Sequence, residues 1–487
     1  MKKTGILMPV FSLPSDTGVG ELGGQAEKFI KILKENGVGI WQILPLNPAG
    51  FGNSPYQPYS SYAGDDIYIS LESLYDMGLL ENKPEVFNKD KKYVDYSAVR
   101  SFKEKYLREA FEIFVSKELD KTKEYKEFVS NKWALDYSVF RALKKKNDFK
   151  CWNEWDDKDK NWPDKREPLI GDDLKEAEYH MFLQYIFDMQ WRHIKSLANE
   201  NGIQILGDVP FYVGIDSVDV WAGRENFLLD KDGHPIFIAG VPPDYFSATG
   251  QRWGNPIYDW DTMKKTGYKF WIDRIGYSNS LFDIVRIDHF RAFDTFWKIP
   301  STCPTAIEGE WIEAPGYEVI DALKENIKDL NIVAEDLGDL REEVLELKDH
   351  YGLKGMKVLM FCLQSDGKYA LDIYNDKENM IIYTGTHDNA TLMEWYGSIS
   401  TAGKRKIRKF LRKNGCCNGT IRDRLIQYTL KSQAEYAIIP LADIIGLGNE
   451  GHINTPGTVG EPNWQWKITD FVYTERELRR YKKYIRR

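Results

Sequence analysis

The 487-residue sequence contains little cysteine: five residues, an odd number that includes the adjacent pair Cys416-Cys417. They form neither a CxxC motif nor a zinc-ligand spacing, which excludes a disulfide framework and points to a reducing compartment. Long apolar runs are also missing. The amino-terminal MKKTGILMPVFSLPSD is interrupted by Pro9 and Pro14 and lacks a small-residue cleavage site. No stretch of about eighteen apolar residues follows it, so a soluble, cytoplasmic protein with no membrane partner is predicted. There is no excess of positive charge. Sixty-six basic against 74 acidic side chains give a formal charge of −8, which argues against a general nucleic-acid binder. The sequence has no Walker loop, no HExxH, no GxSxG, no internal repeat and no low-complexity linker, so no domain boundary is marked.

What is plentiful is apolar and aromatic. Hydrophobic residues make up 42%, enough to bury a large core. Fifteen Trp, 28 Tyr and 24 Phe exceed what such a core needs, and flat rings make good platforms for sugars. Short β-type runs alternate with helical patterns: 5–11, 39–46, 204–211, 283–288, 331–335, 356–361, 380–384 and 436–440. Eight runs of this kind suggest a parallel α/β core with the strand number of a barrel. Between them, Ala26, Phe29, Ile30 and Leu33 form one helical stripe stopped by Asn36-Gly37, and Ile407, Phe410 and Leu411 form another stopped by Asn414-Gly415. The second and third runs are too far apart for one crossover helix. The segment between them reads as an inserted, mostly helical subdomain over about 53–195, with Tyr106, Ala110 and Phe114 at i+4 intervals. A second excursion, 217–261, is rich in Gly, Pro and aromatics and reads as a long functional loop.

Gly18-Val-Gly20-Glu-Leu-Gly23 fits the GxGxxG pattern, but the following strand, GIWQILPL, carries no carboxylate for a ribose. It is better read as a turn into a helix. The basic runs 404–413 and 476–487 read as solvated surface.

The informative feature is a set of charged residues where apolar runs end: GDVPF (Asp208), VRIDHFR (Arg286, Asp288, His289), VAEDLG (Glu335, Asp336) and TGTHDN (His387, Asp388). One such carboxylate is most often a cap or a salt bridge. Four of them at the carboxyl ends of barrel strands converge on the face where barrel enzymes hold their chemistry. Arg286 and Asp288 are two apart, so on a strand they share a face, and the arginine would keep Asp288 ionised. Glu335 and Asp336 are successive, so only one of them faces the pocket. An ionised carboxylate opposite a carboxylic acid is the equipment for breaking a glycosidic bond with retention. The alternatives are a fully paired structural cluster, or a zinc site using His289, His387 and the carboxylates. Against zinc, ILMPVF places no histidine after the first strand.

With these residues the sequence resembles the 4-α-glucanotransferase family (amylomaltase, disproportionating enzyme), relatives of the α-amylases. The match runs from GILMPVFSLPSDTGVGELG through NSPYQPYSSYAG, GDVPFYV, DVWAG, AGVPPDYFSATGQRWGNPIY, VRIDHFRAF, VAEDLG, GTHDN and INTPGT to NWQW, nearly the whole chain. The segment AGVPPDYFSATGQRWGNP is the diagnostic one, since the α-amylases share the carboxylates but lack it. The resemblance implies one catalytic (β/α)8 TIM barrel over 1–487 with large helical insertions and no C-terminal β-sandwich. It implies Asp288 as nucleophile, Glu335 as general acid/base and Asp388 as the third carboxylate. Arg286 would orient Asp288. His289 and His387 would bind sugar hydroxyls, with Asp208 nearby and Tyr56 stacking beneath; Ser54 and Gln57 flank Tyr56. Tyr245, Phe246, Gln251, Trp253 and Asn255 would belong to a loop over the donor and acceptor sites, faced by Asn454 from a second loop. Such a loop, by excluding water, would favour transfer over hydrolysis.

The chain departs from the family pattern at His452, where an arginine is common, and at Phe51, where some members carry tyrosine. No metal or cofactor is implied. The partners implied are α-1,4-glucans and glucose, with a retaining α-glucan hydrolase and a non-catalytic glucan binder as the competing readings.

Overall fold

The computed structural model describes residues 2–243, 247–338, 340–363 and 379–485, and the side chain of Phe51 is outside that description. Each apolar run contributes a strand: β1 (Lys3–Leu7), β2 (Ile40–Gln42), β3 (Gln204–Val209), β4 (Ile284–Ile287), β5 (Ile332–Ala334), β6 (Gly355–Val358), β7 (Met380–Tyr383) and β8 (Tyr436–Pro440). All the pairings are parallel, in the order β6-β7-β8-β1-β2-β3-β4-β5. The two outer strands meet through a parallel bridge between Val333 and Lys354, where the Ala334 amide donates to the Lys354 carbonyl at 2.8 Å. The sheet thereby closes into a (β/α)8 barrel. Its strands are rich in Ile and Val because both faces are covered, by helices outside and by one another's side chains inside. Ile381, Ile382, Ile438 and Ile439 are all fully buried. Gly207 in β3 has no room for a side chain: a Cβ there would lie 2.2 Å from the ring of Phe282.

Some strand ends differ from the sequence reading. β1 starts at Lys3 and stops at Leu7; the rest of that run is a short 3-10 turn, Val10–Ser12, entered through Pro9, which lacks the N–H a ladder needs. The 356–361 run leaves the sheet at Val358 and becomes a helical turn, Leu359–Cys362. The glycine motif is a turn into the helix Gly24–Glu35, with Gly23 as its N-cap. A Cβ on Gly20 would sit 1.8 Å from the Val10 carbonyl oxygen, which accounts for that glycine by packing. Ala26, Phe29, Ile30 and Leu33 are the buried stripe of this helix.

Between β2 and β3 the chain builds helices that include Tyr96–Ser116, Lys132–Lys146 and the 30-residue Gly171–Glu200. The first half of the long helix packs inside this group, where Phe182 lies 4.9 Å from Phe114 between ring centroids. Its second half buries Trp191, Ile194 and Ala198 against the barrel, and the Trp191 indole donates to the Leu281 carbonyl. Residue 195 therefore falls inside a continuous helix.

The 217–261 excursion is more ordered than a loop. It contains the strands Phe237–Val241 and Gln251–Pro256, which join Thr295–Pro300 and Glu310–Glu313 from beyond β4 in an antiparallel four-stranded sheet. Trp221, Phe227 and Tyr258 from the same excursion are buried in the main core.

Candidate active site

The barrel register brings the charged residues together. Asp208 and Arg286 are direct partners across β3 and β4. The ladder continues past the strand ends: the Asp288 amide donates to Val209 O at 3.0 Å, and the Glu335 amide to Ile287 O at 3.0 Å. Asp288 and Glu335 thus extend neighbouring strands at the same end of the barrel.

Arg286 is 4% exposed and divides its guanidinium between two carboxylates. Its Nη1 lies 2.7 Å from Asp208 and its Nη2 2.8 Å from Asp288 Oδ1, while Nε faces the Met356 sulfur at 3.4 Å. Tyr56 donates its hydroxyl to Asp208 Oδ2 at 2.8 Å. A charged, hydrogen-bonded chain therefore runs from Tyr56 through Asp208 and Arg286 to Asp288.

Glu335 is held differently. Its Oε2 accepts from the His289 amide at 2.9 Å, and its Oε1 accepts from the Leu337 amide at 3.0 Å. His289, which follows Asp288, has a positive φ of 53°, a conformation uncommon for a residue with a side chain. This turn aims the His289 amide at the acid. Burial pushes Glu335 up to about 7, and the charge of Asp288 adds to the rise. Burial also raises Asp288, helped by Asp208 and Asp388 and opposed by Arg286. The arginine does pair with Asp288, but burial outweighs it, so the carboxyl lies above its ordinary value rather than below. Asp336 faces the other way, accepting from the Met356 amide at 2.6 Å.

Asp388 completes the group. Burial opposes its ionisation, but the charge of His387, 3.3 Å away, and a 2.6 Å hydrogen bond from the Asn454 amide bring it down to about 2. Asp388 raises His387 in turn, against burial. His387 Nδ1 is buried without a hydrogen-bond partner among the described residues, and Nε2 lies 3.3 Å from Asp388 Oδ2. Tyr56 stacks on His387 at 5.1 Å and 14°.

The other residues singled out in the sequence are distributed around this centre. Trp253 meets His289 edge-on at 4.8 Å, and its indole donates to Gln251 Oε1 at 3.2 Å. Partial burial lowers His289 to about 3, and the charge of Arg291 adds to the effect. Gln57 and Asn255 bond each other at 3.1 Å, and the Asn255 amide also donates to Val213 O. They tie the first loop to the small sheet rather than joining the carboxylates. The Ser54 hydroxyl accepts from the Tyr56 amide at 3.3 Å, a turn that presents the tyrosine. Tyr245 and Phe246 lie outside the described residues. His452 pairs with Glu394 at 3.4 Å.

Trp464 was not singled out in the sequence, yet it stands 5.6 Å from Tyr56 and 5.9 Å from His387, completing an aromatic trio. NWQW is the only trace it leaves. Met356 and Tyr212, which approach Arg286 and His289, carry no sequence signal of their own. Among the described residues no group of three or more His, Cys, Asp or Glu is spaced to hold a metal ion, and no helix is long and apolar enough to cross a membrane.

The site offers a carboxylate anchored by an arginine, a half-buried acid beside it and an ionised third carboxylate with histidine and aromatic neighbours. The profile of the 4-alpha-glucanotransferase family matches residues 8–473. The 4-alpha-glucanotransferase of Synechocystis is 44% identical over 95% of this chain and 93% of its own length. That of Thermus thermophilus is 38% identical over 95% and 94%. The solved structure of amylomaltase from Streptococcus agalactiae in complex with acarbose superposes with a TM-score of 0.91 at 34% identity, covering 99% of each chain.

Proposed function

The chain belongs to the 4-α-glucanotransferase family, and from that premise we propose how its residues carry the reaction. The enzyme moves a segment of an α-1,4-glucan to the 4-hydroxyl of glucose or of another α-1,4-glucan. In our reading Asp288 attacks the anomeric carbon and forms a glycosyl ester, while Glu335 gives its proton to the departing O4. Glu335, now ionised, then takes the proton of the acceptor 4-hydroxyl as that oxygen displaces Asp288. Two inversions leave the α configuration unchanged.

The observation that carries this reading is the unequal treatment of two adjacent carboxyls. Asp288 has a guanidinium at 2.8 Å, whereas Glu335 has only backbone donors among the described residues and is raised to about 7. An acid with a pKa near the working pH transfers protons efficiently in both directions. Arg286 would orient Asp288, and Asp388, His387 and His289 would bind hydroxyls of the reacting sugar. Tyr56 would stack beneath it, with Trp464 at its side. Trp253, Gln251 and Asn454 would border the acceptor side and keep water out, together with Tyr245 and Phe246. We take the helices between β2 and β3 and the small sheet as insertions on one catalytic barrel. A cytoplasmic setting belongs to the same reading and rests on the odd cysteine count without a paired framework.

The deciding experiment is incubation with maltotriose. Glucose and longer oligomers at a constant number of reducing ends are expected. A steady rise in reducing ends without longer products would make the enzyme a hydrolase.

A further inference from the structure

Lined by none of the residues of the candidate active site, an open pocket of about 310 Å3 lies among the helices Tyr96–Ser116, Lys132–Lys146 and Gly171–Glu200, within the range of small-molecule sites. Five cationic side chains line it against three carboxylates. The carboxylates are largely committed. Glu176 accepts from Arg108 through one oxygen and from Lys145 through the other, and it also lies 3.3 Å from His180. Glu104 accepts from Arg108 and, with its second oxygen, from the Tyr179 hydroxyl. Asp66 receives Arg100, which is also bound bidentately by Asp65 behind the wall. Lys103 is fully occupied by Glu21 and the carbonyls of Ile67 and Ile69.

Donors remain. Arg141 makes one side-chain hydrogen bond among the described residues, from Nη1 to the Tyr137 hydroxyl at 3.3 Å, and no ion pair. Its guanidinium lies against the rings of Tyr59 and Tyr137, at 5.6 and 5.9 Å from their centroids. Arg108 engages Nε and Nη2, leaving Nη1, and Lys145 engages one of its three protons. His180 adds no positive charge: burial and the nearby arginines lower it to about 4, so it is neutral.

A concave site rich in unused N–H groups and poor in free acceptors has a defined complement. We propose that this cavity is an anion site, centred on Arg141, for a small phosphate-type oxyanion. A tetrahedral oxyanion presents several acceptor oxygens to donors on different helices, whereas a planar carboxylate engages a single fork. Inorganic phosphate and the phosphate group of a sugar monophosphate share that chemistry.

Isothermal titration of the full-length protein with inorganic phosphate, glucose 6-phosphate and glucose tests the proposal. Saturable binding of phosphate is expected, with no competition from glucose. Tighter binding of glucose 6-phosphate would identify a sugar phosphate as the ligand, and equal binding would identify free phosphate. Arg141→Gln should weaken phosphate by about tenfold or more, and Arg141→Lys by less, because lysine keeps the charge without the fork. Lys145→Glu, at the half-exposed rim, reverses a charge beside Glu176 and should also weaken binding by about tenfold. Absence of saturable phosphate binding to the wild type, or wild-type affinity in Lys145→Glu or in a folded Arg141→Gln, would overturn the proposal.

Discussion

On the β3–β4 side of the barrel mouth, carboxylates and cation alternate: Tyr56 donates to Asp208, Asp208 pairs with Arg286, and Arg286 pairs with Asp288. On the β5 side, one residue beyond the strand, Glu335 makes no ion pair among the described residues and is held by two amides. Both carboxyls are half-buried. The first group is kept usable as an anion by its partners, whereas the second is allowed to become an acid. The difference comes from neighbours rather than from residue type, since an isolated buried carboxyl rises and a paired one is drawn back.

The sharpest way to break this comparison is Asp288→Asn, which keeps the shape and removes the proposed nucleophile. Transfer should fall by on the order of 10^4-fold or more, while binding of maltooligosaccharide persists in calorimetry. Loss of binding together with turnover would instead give Asp288 a role in holding the fold.

Glu335→Gln should come next, with kcat/KM lower by about 10^2- to 10^4-fold. The pH profile is the more telling measurement. Wild-type kcat/KM should fall as pH drops through the Asp288 pKa, because the nucleophile is protonated. It should also fall as pH rises through about 7, because the acid is lost. The residual activity of Glu335→Gln should lack the alkaline limb. Stability has the opposite sign from that of an ion-paired carboxylate. A folded pKa of about 7 against an ordinary value of 4.5 means that Glu335 stabilises the fold below about 4.5 and that this contribution is lost as pH rises through 7. Glu335→Gln should therefore melt higher than the wild type at pH 8 and show no such gain at pH 4.

Arg286→Gln leaves buried Asp208 and half-buried Asp288 without a cation, a loss of about 3–5 kcal/mol read from denaturant unfolding. A value near zero would mean that the two carboxylates share a proton when the arginine is gone. Asn454→Ala removes a single hydrogen bond to Asp388 and should cost roughly 10- to 100-fold in kcat/KM. A chelator should have no effect, since none of the proposed roles uses a metal.

The sequence made the anchored half more legible than the rest. Asp208, Arg286, Asp288 and Glu335 interrupt apolar runs, and a charge buried at the end of such a run is costly unless it is paired or put to use. Period-two spacing was enough to put Arg286 beside Asp288 and to turn Asp336 away from Glu335. The same reasoning overestimated the arginine's hold on Asp288, because burial leaves no mark on a sequence. The eight strands could be read from their composition, but their ends could not always: Pro9 stops β1 early, and the turn after Val358 looks apolar in sequence whether extended or helical. The small sheet was hidden because its strands come from both sides of β4, and pairing at that distance has no local signature. Trp464 escaped notice for a similar reason, since it meets Tyr56 from the opposite end of the chain.

That last contact affects how the enzyme comes into being. β1 is completed by β8, residues 92 to 96 are bonded to residues 464 to 467, and Asp388 is braced by Asn454. A ribosome would have to release the chain through Trp464 before these contacts could form. Synthesis and competence are thus separated in time, and a carboxyl-terminal truncation before Trp464 should yield an inert protein however well its earlier helices form.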